Sequence, residues 1–256
     1  MKWSWPAATV AFAFVLTFYL ALSPGRSKGQ NPAQNPPGTP CGIQCGEERW
    51  PVKTLTDQDA SEVNFTPVEE AVGELASLPT PKGNDEAHRL NSAEETTFAV
   101  RGRLVGFKQE SDGDFHIVIA DRQNPSITMV VEIPDPKCNA VCASPKLQQI
   151  QTARQKFAAS FPKLPAASEF EIVQGDVEVN VTGVGFFDFA HDQVGLARNC
   201  FELHPVLDIA FEQPGPFETK KDPASEPPKH PEDWYSCIPR PSEHPKAKAV
   251  HKGSHN

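Results

Sequence analysis

Five β-rich runs and one helical run, in a fixed order between Phe98 and Phe211, restrict this chain more than any other feature. Phe98–Phe107 opens with alternation: Phe98, Val100 and Leu104 face one way, Arg101 and Arg103 the other. Phe115–Asp121 reads FHIVIAD, and Ile127–Ile133 reads ITMVVEI before Pro134 and Pro136 stop it. Val177–Phe187 and Phe201–Phe211 alternate again, and this period of two is the mark of a strand with two different faces. Between the third and fourth runs, Ser144-Pro145 opens a helix in which Leu147, Ile150, Phe157 and Phe161 share one face, ended by Pro162. Gly183-Val184-Gly185 predicts a bend or bulge in the fourth strand that brings Phe186, Phe187 and Phe189 into the core.

The order strand, strand, strand, helix, strand, strand resembles that of the OB-fold, a five-stranded Greek-key barrel. The predicted class is therefore mainly β: an OB-like barrel over residues 95–212, with one helix between strands three and four. The Val-x-Gly-x-Leu of Val100–Leu104 belongs to the same resemblance. The phrases DGDFHIVIAD, GVGFFDF and ELHPVLDI are similar to those of a group of exported bacterial proteins without assigned activity, which implies export and these domain limits but no chemistry. The Asp112-Gly113-Asp114 turn is also similar to that of secreted thermonucleases, which use the same barrel. The Arg/Glu pair those enzymes need has no counterpart here, so no catalytic role carries over.

The flanks have a different composition. Residues 1–29 hold Lys2 and an uncharged apolar run, Pro6–Leu22, followed by Arg26 and Lys28. They read as a signal peptide or an N-terminal anchor, and the exported part is then periplasmic or secreted, with membrane contact only through this segment if it is uncleaved. Residues 30–46 form a Pro/Gln/Asn-rich linker. Residues 47–94 predict a short helical segment packed on the barrel, in which Thr66 caps, Pro67 takes the first helical position and Glu69 completes a capping box. Val68, Ala71, Val72 and Leu75 would form its apolar face. Residues 213–256 are a Pro/His-rich tail, expected to lack order unless Cys237 ties it to Cys200. Six cysteines (Cys41, Cys45, Cys138, Cys142, Cys200 and Cys237) suit disulfides in an oxidising compartment. The simplest pairing closes each Cys-x-x-x-Cys on itself and joins Cys200 to Cys237; a four-cysteine zinc site is the rival.

Charge makes single-stranded nucleic-acid binding the least expected of three functions. The chain carries a formal −9, and residues 96–212 hold 10 Lys/Arg against 15 Asp/Glu, so the cationic groove that nucleic acids require is missing. Two places can carry chemistry. Asp112, Asp114 and His116 alternate at the entrance of the second strand, where two carboxylates and an imidazole can bind a divalent ion, or simply form a solvated turn. Glu202 and His204 share one face of the last strand, and His191 and Asp188 can approach the same end of the barrel. His116, His191, Glu202 and His204 are thus the candidate metal ligands; on the alternative reading, Glu202 and His204 pair with each other or with Arg101 and Arg103 on an outer face. The tail histidines His230, His244, His251 and His255 are too irregularly spaced for one site. The expected function is an exported binding or structural module for a small ligand, glycan or protein, with no required cofactor. The alternative is a metal-dependent hydrolase of the phosphodiesterase or nuclease-like kind.

Overall fold

Alternation along the five predicted strands becomes a ring of hydrogen-bonded pairs that closes on itself. The computed structural model describes residues 42–46, 48–161, 163–165, 169–190, 193–221, 230 and 234–240. The elements in chain order are α1 (Trp50–Lys53), β1 (Asn64–Glu70), α2 (Val72–Leu75), β2 (Thr96–Gln109), β3 (Phe115–Ala120), β4 (Thr128–Ile133) and α3 (Asn139–Ala143). They continue with α4 (Leu147–Ala159), β5 (Glu171–Val173), β6 (Glu178–Phe187), β7 (Phe201–Phe211) and β8 (Thr219–Lys220). β2, β3 and β4 form an antiparallel meander, β4 pairs with β7 in parallel, and β7–β6 and β6–β2 are antiparallel. This is a closed five-stranded barrel, compatible with an OB-like fold. The five predicted strands and the helix α4 stand where the alternation put them.

The barrel interior is apolar. Val100, Leu104, Ile117, Ile119, Met129, Val131, Val181 and Leu203 point into it. α4 closes one end through an aromatic cluster in which Phe157 meets Phe107 edge-on at 4.9 Å and Phe115 at 5.4 Å. β6 shifts register between Thr182 and Gly183 and again before Gly185, which is the expected bulge. A Cβ on Gly185 would stand 2.2 Å from the Ala93 carbonyl oxygen, so only glycine fits there. Beyond the bulge, Phe187 and Phe189 enter the main core and Phe186 lies against the opposite face of the sheet.

The helix predicted from Thr66 does not form. Asn64–Glu70 is instead the strand β1, parallel to β2, with Asn64 Oδ1 accepting from the Thr66 amide. β3 pairs with β2 only from Arg103 onward, which leaves the free edge of residues 96–100 of β2 in need of partners. β1 supplies them, and Pro67 is tolerated because β1 is an edge strand. Val72 and Leu75 keep a single buried helical turn.

The disulfide pairing also departs from the simplest arrangement. Cys45 bonds Cys138, so neither Cys-x-x-x-Cys closes on itself, and the thiolates of a four-cysteine zinc site are gone. The reason is local: residues 42–46 lie along 137–139, with an Ile43–Cys138 bridge and the Asn139 amide donating to the Ile43 carbonyl. Cys142 is disulfide-bonded as well, and Cys200 bonds Cys237 as expected. That last link holds the 234–240 stretch of the tail on the barrel, with Ile238 in the core. The first part of the tail is ordered too, with β8 paired to β5 and Phe217 against the core. The predicted signal or anchor at 1–29, residues 30–41 with Cys41, His191, and tail residues 222–229, 231–233 and 241–256 lie outside the described residues. Among the described residues no helix is long and apolar enough to cross a membrane.

Candidate metal centre

A row of polar side chains crosses the outer face of four strands. His116 of β3 stands directly opposite Glu132 of β4 and beside Lys108 of β2, while the β4–β7 register brings His204 next to Glu132. The alternation that sends Ile117, Val131 and Leu203 inward sends these residues outward. They are not exposed, however: His116, Glu132, Glu202 and His204 are all buried, with Lys53 of α1 against His204 and Val194 against His116. The outer-face reading with Arg101 therefore does not hold, since Arg101 pairs with Glu178 and Glu212.

His204 is the most constrained member. Its Nδ1 lies 2.9 Å from the Lys53 carbonyl oxygen, which can only accept, so Nδ1 carries the proton and Nε2 is left as the lone-pair atom of the neutral ring. Nε2 is buried without a hydrogen-bond partner. It lies 3.2 Å from Glu132 Oε2, outside hydrogen-bond geometry, and 3.7 Å from Asp114 Oδ2. Asp114 is aimed there by its own turn: Asp114 Oδ1 accepts from the Asp135 amide at 2.7 Å, leaving Oδ2 free to face His204. Gly113 in this turn has φ +97°, and a Cβ on it would stand 2.6 Å from Asp135 Oδ2. Arg154 of α4 clamps the turn by donating to the Ile133 and Gly113 carbonyls. Asp114, Glu132 and His204 thus offer three ligand atoms within 4.8 Å of one another.

A second group shares Glu132. His116 Nδ1 is 2.9 Å from Glu132 Oε1, while its Nε2 is 2.9 Å from the Val194 carbonyl oxygen. Glu110 completes this group within the same 4.8 Å. Both groups border a cleft of about 510 Å³, walled by Trp50, Gln44 and Gln193 among others. Its lining carries Glu48, Glu110, Asp112, Asp114, Glu132 and Asp188 against Lys53 and His204, so the field inside favours cations.

Burial and like charge distort the titrations here. Burial raises the Asp114 carboxyl to about 6 despite the nearby His204. Burial opposes the His204 imidazolium, yet Asp114 and Glu132 outweigh it and lift the ring to about 10. Burial also opposes ionisation of Glu132, but His116 and His204 hold it well below the usual carboxylate range. Glu202 is pushed well above that range by burial, Glu132 and Asp188. In chelator, the folded state therefore binds more protons than the unfolded chain above pH 6.5, and stability falls as pH rises toward 10. The expected slope between pH 7 and pH 9 reaches about 1.4 kcal/mol per pH unit for one proton. Denaturant midpoints at pH 7, 8 and 9 measure it. His204→Gln is expected to reduce the slope, and a slope identical in the variant would show that His204 is not its source.

Of the four ligands named from sequence, His116 and His204 meet, but through Glu132. Glu202 is buried on the same face as His204, with Oε1 unpartnered, and belongs to neither ligand group among the described residues. His191 lies outside the described residues. Asp188 holds Lys53 at 2.9 Å. Asp114, noted from sequence as part of the acidic turn, is a full member; Glu132, Glu110 and Lys53 were missed. Glu132 had a signal: it is a lone charge inside the apolar run TMVVEI. No protein-family model, curated protein or solved structure matches this chain. The implied membership in an exported bacterial group therefore gains no support, and function rests on the site. The barrel itself suits a binding or structural module.

Proposed function

We propose that this protein is a metal-binding barrel module that holds a divalent ion between Asp114, Glu132 and His204. The buried Nε2 of His204, which faces Asp114 and Glu132 without a hydrogen bond to either, carries the reading. Its ring is oriented through the other nitrogen by a main-chain carbonyl, the usual support for a metal-ligating histidine. Two carboxylates and one imidazole suit Mn²⁺, Fe²⁺ or Zn²⁺ better than Ca²⁺, which prefers oxygen alone. The ion would displace the proton that the ring otherwise holds, and the cleft leaves further coordination positions to water or a ligand. The disulfides suit an oxidising compartment, and the apolar run near the N-terminus supports export to it.

Calorimetric titration of the chelator-stripped, untagged full chain with Mn²⁺ and Zn²⁺ tests this. Wild type is expected to bind, and His204→Ala is expected to weaken binding by more than about 100-fold, beyond the loss typical of supporting residues. Equal affinity in the two proteins would overturn the assignment.

Hydrolysis is the second reading, favoured by the cleft that opens onto the ligand groups. Its acidic lining repels a phosphodiester unless metal neutralises it, so turnover of bis(p-nitrophenyl) phosphate must depend wholly on added ion. No turnover with metal bound would leave the binding module alone.

A further inference from the structure

We infer that Glu132 bridges two divalent ions, the second held by His116 Nδ1 and Glu110 beside the ion at Asp114 and His204. This rests on the single-ion reading above and extends it to a dinuclear centre.

The two histidines are arranged alike around one carboxylate. His204 gives its Nδ1 proton to the Lys53 carbonyl and turns Nε2 toward Glu132 Oε2. His116 gives its Nε2 proton to the Val194 carbonyl and turns Nδ1 toward Glu132 Oε1. Each carbonyl oxygen can only accept, so each imidazole presents a lone pair to a different oxygen of the same side chain. Lone pairs 2.9 Å apart in a buried site need a positive charge between them, either a proton or a metal ion. On the His116 side a third donor stands close by, because Glu110 Oε1 lies 3.8 Å from His116 Nδ1. An ion between His116 and Glu132 would take Glu110 as its third ligand, in competition with Lys108. One carboxylate spanning two ions is the geometry of dinuclear sites, whose metals lie roughly 3.5–4 Å apart.

Lys108 makes the two positions unequal. Its Nζ stands 2.8 Å from Glu110 Oε1 and opposes a cation there, so the His116 position is the weaker one. Removing that ammonium is expected to tighten the weaker ion.

The test is metal stoichiometry of the full chain by native mass spectrometry and Mn²⁺ titration, joined to electron paramagnetic resonance of the Mn²⁺ form. Two ions per chain, with the spectrum of a coupled pair, are expected. His116→Gln is expected to retain one ion and lose the coupling, and Lys108→Met to tighten the weaker ion about tenfold or more. One ion per chain, unaffected by either substitution, overturns the dinuclear centre and leaves the mononuclear site standing. No ion at all sinks both. If His116→Gln does not fold, Lys108→Met decides: an unchanged second affinity overturns the proposal.

Discussion

Arg49→Met is expected to cost the fold about 3–5 kcal/mol, the usual loss when one partner of a buried ion pair is removed. Both side chains of the Arg49–Glu94 pair are 0% exposed, and the guanidinium bonds both Glu94 oxygens at 2.6 and 2.9 Å. Its remaining N–H groups donate to the carbonyls of Asp85, His88 and Phe187. Glu94 also accepts from the Leu90 and Phe187 amides, so one ion pair ties the segment before β2 to the end of β6. Methionine would fill part of the volume but leave a buried carboxylate and three carbonyls short of donors. For a domain of this size the thermal midpoint should drop by roughly 10 °C. Glu94→Gln should cost less, because the amide keeps some of the hydrogen bonds. Arg49 directly precedes α1, and α1 carries the Lys53 carbonyl that orients His204. Metal affinity is therefore expected to fall along with stability. A midpoint within a degree or two of wild type would show that the N-terminal segment is not anchored by this pair.

Glu132→Gln is expected to abolish metal binding while leaving the barrel folded. Its carboxylate is the one group shared by His116 and His204, and the amide puts a neutral oxygen and an NH₂ where two anionic oxygens stood. An N–H aimed at a histidine lone pair competes with an ion for it. Affinity should fall by more than about 100-fold. His204 also loses the carboxylate that helps hold its imidazolium, so the fall in stability above pH 7 should shrink. Titration of the variant beside a pH series separates these effects. Wild-type affinity with Glu132 gone would mean that the ion sits elsewhere.

The five strands were legible because each has an apolar set at period two facing one continuous interior. Helix α4 was legible from its cap and the spacing of Leu147, Ile150 and Phe157. β1 was not, because Thr66-Pro67-Val68-Glu69 satisfies local rules for a helix start, while the free edge of β2 is a distant demand that overrode them. The site was half legible for a related reason. Glu202 and His204 do share a face, as alternation requires, but alternation cannot say that this face is buried, with Lys53 of α1 and Val194 against its histidines. Asp114 looked like a turn residue, and it is one; its role comes from the Asp135 amide and Arg154, both remote in sequence. The meeting of Glu132 with His204 depends on the parallel β4–β7 register, which no local pattern encodes. Arg49 and Lys53 stand at the two ends of a single helical turn, too short for any periodicity to mark a buried cation.

The most direct test is anomalous diffraction from crystals of the untagged chain soaked in Mn²⁺ or Zn²⁺. The expected map has a peak about 2.0–2.2 Å from His204 Nε2, within reach of Asp114 Oδ2 and Glu132 Oε2. A map from ion-saturated crystals with no peak beside His204 would contradict metal binding at this site.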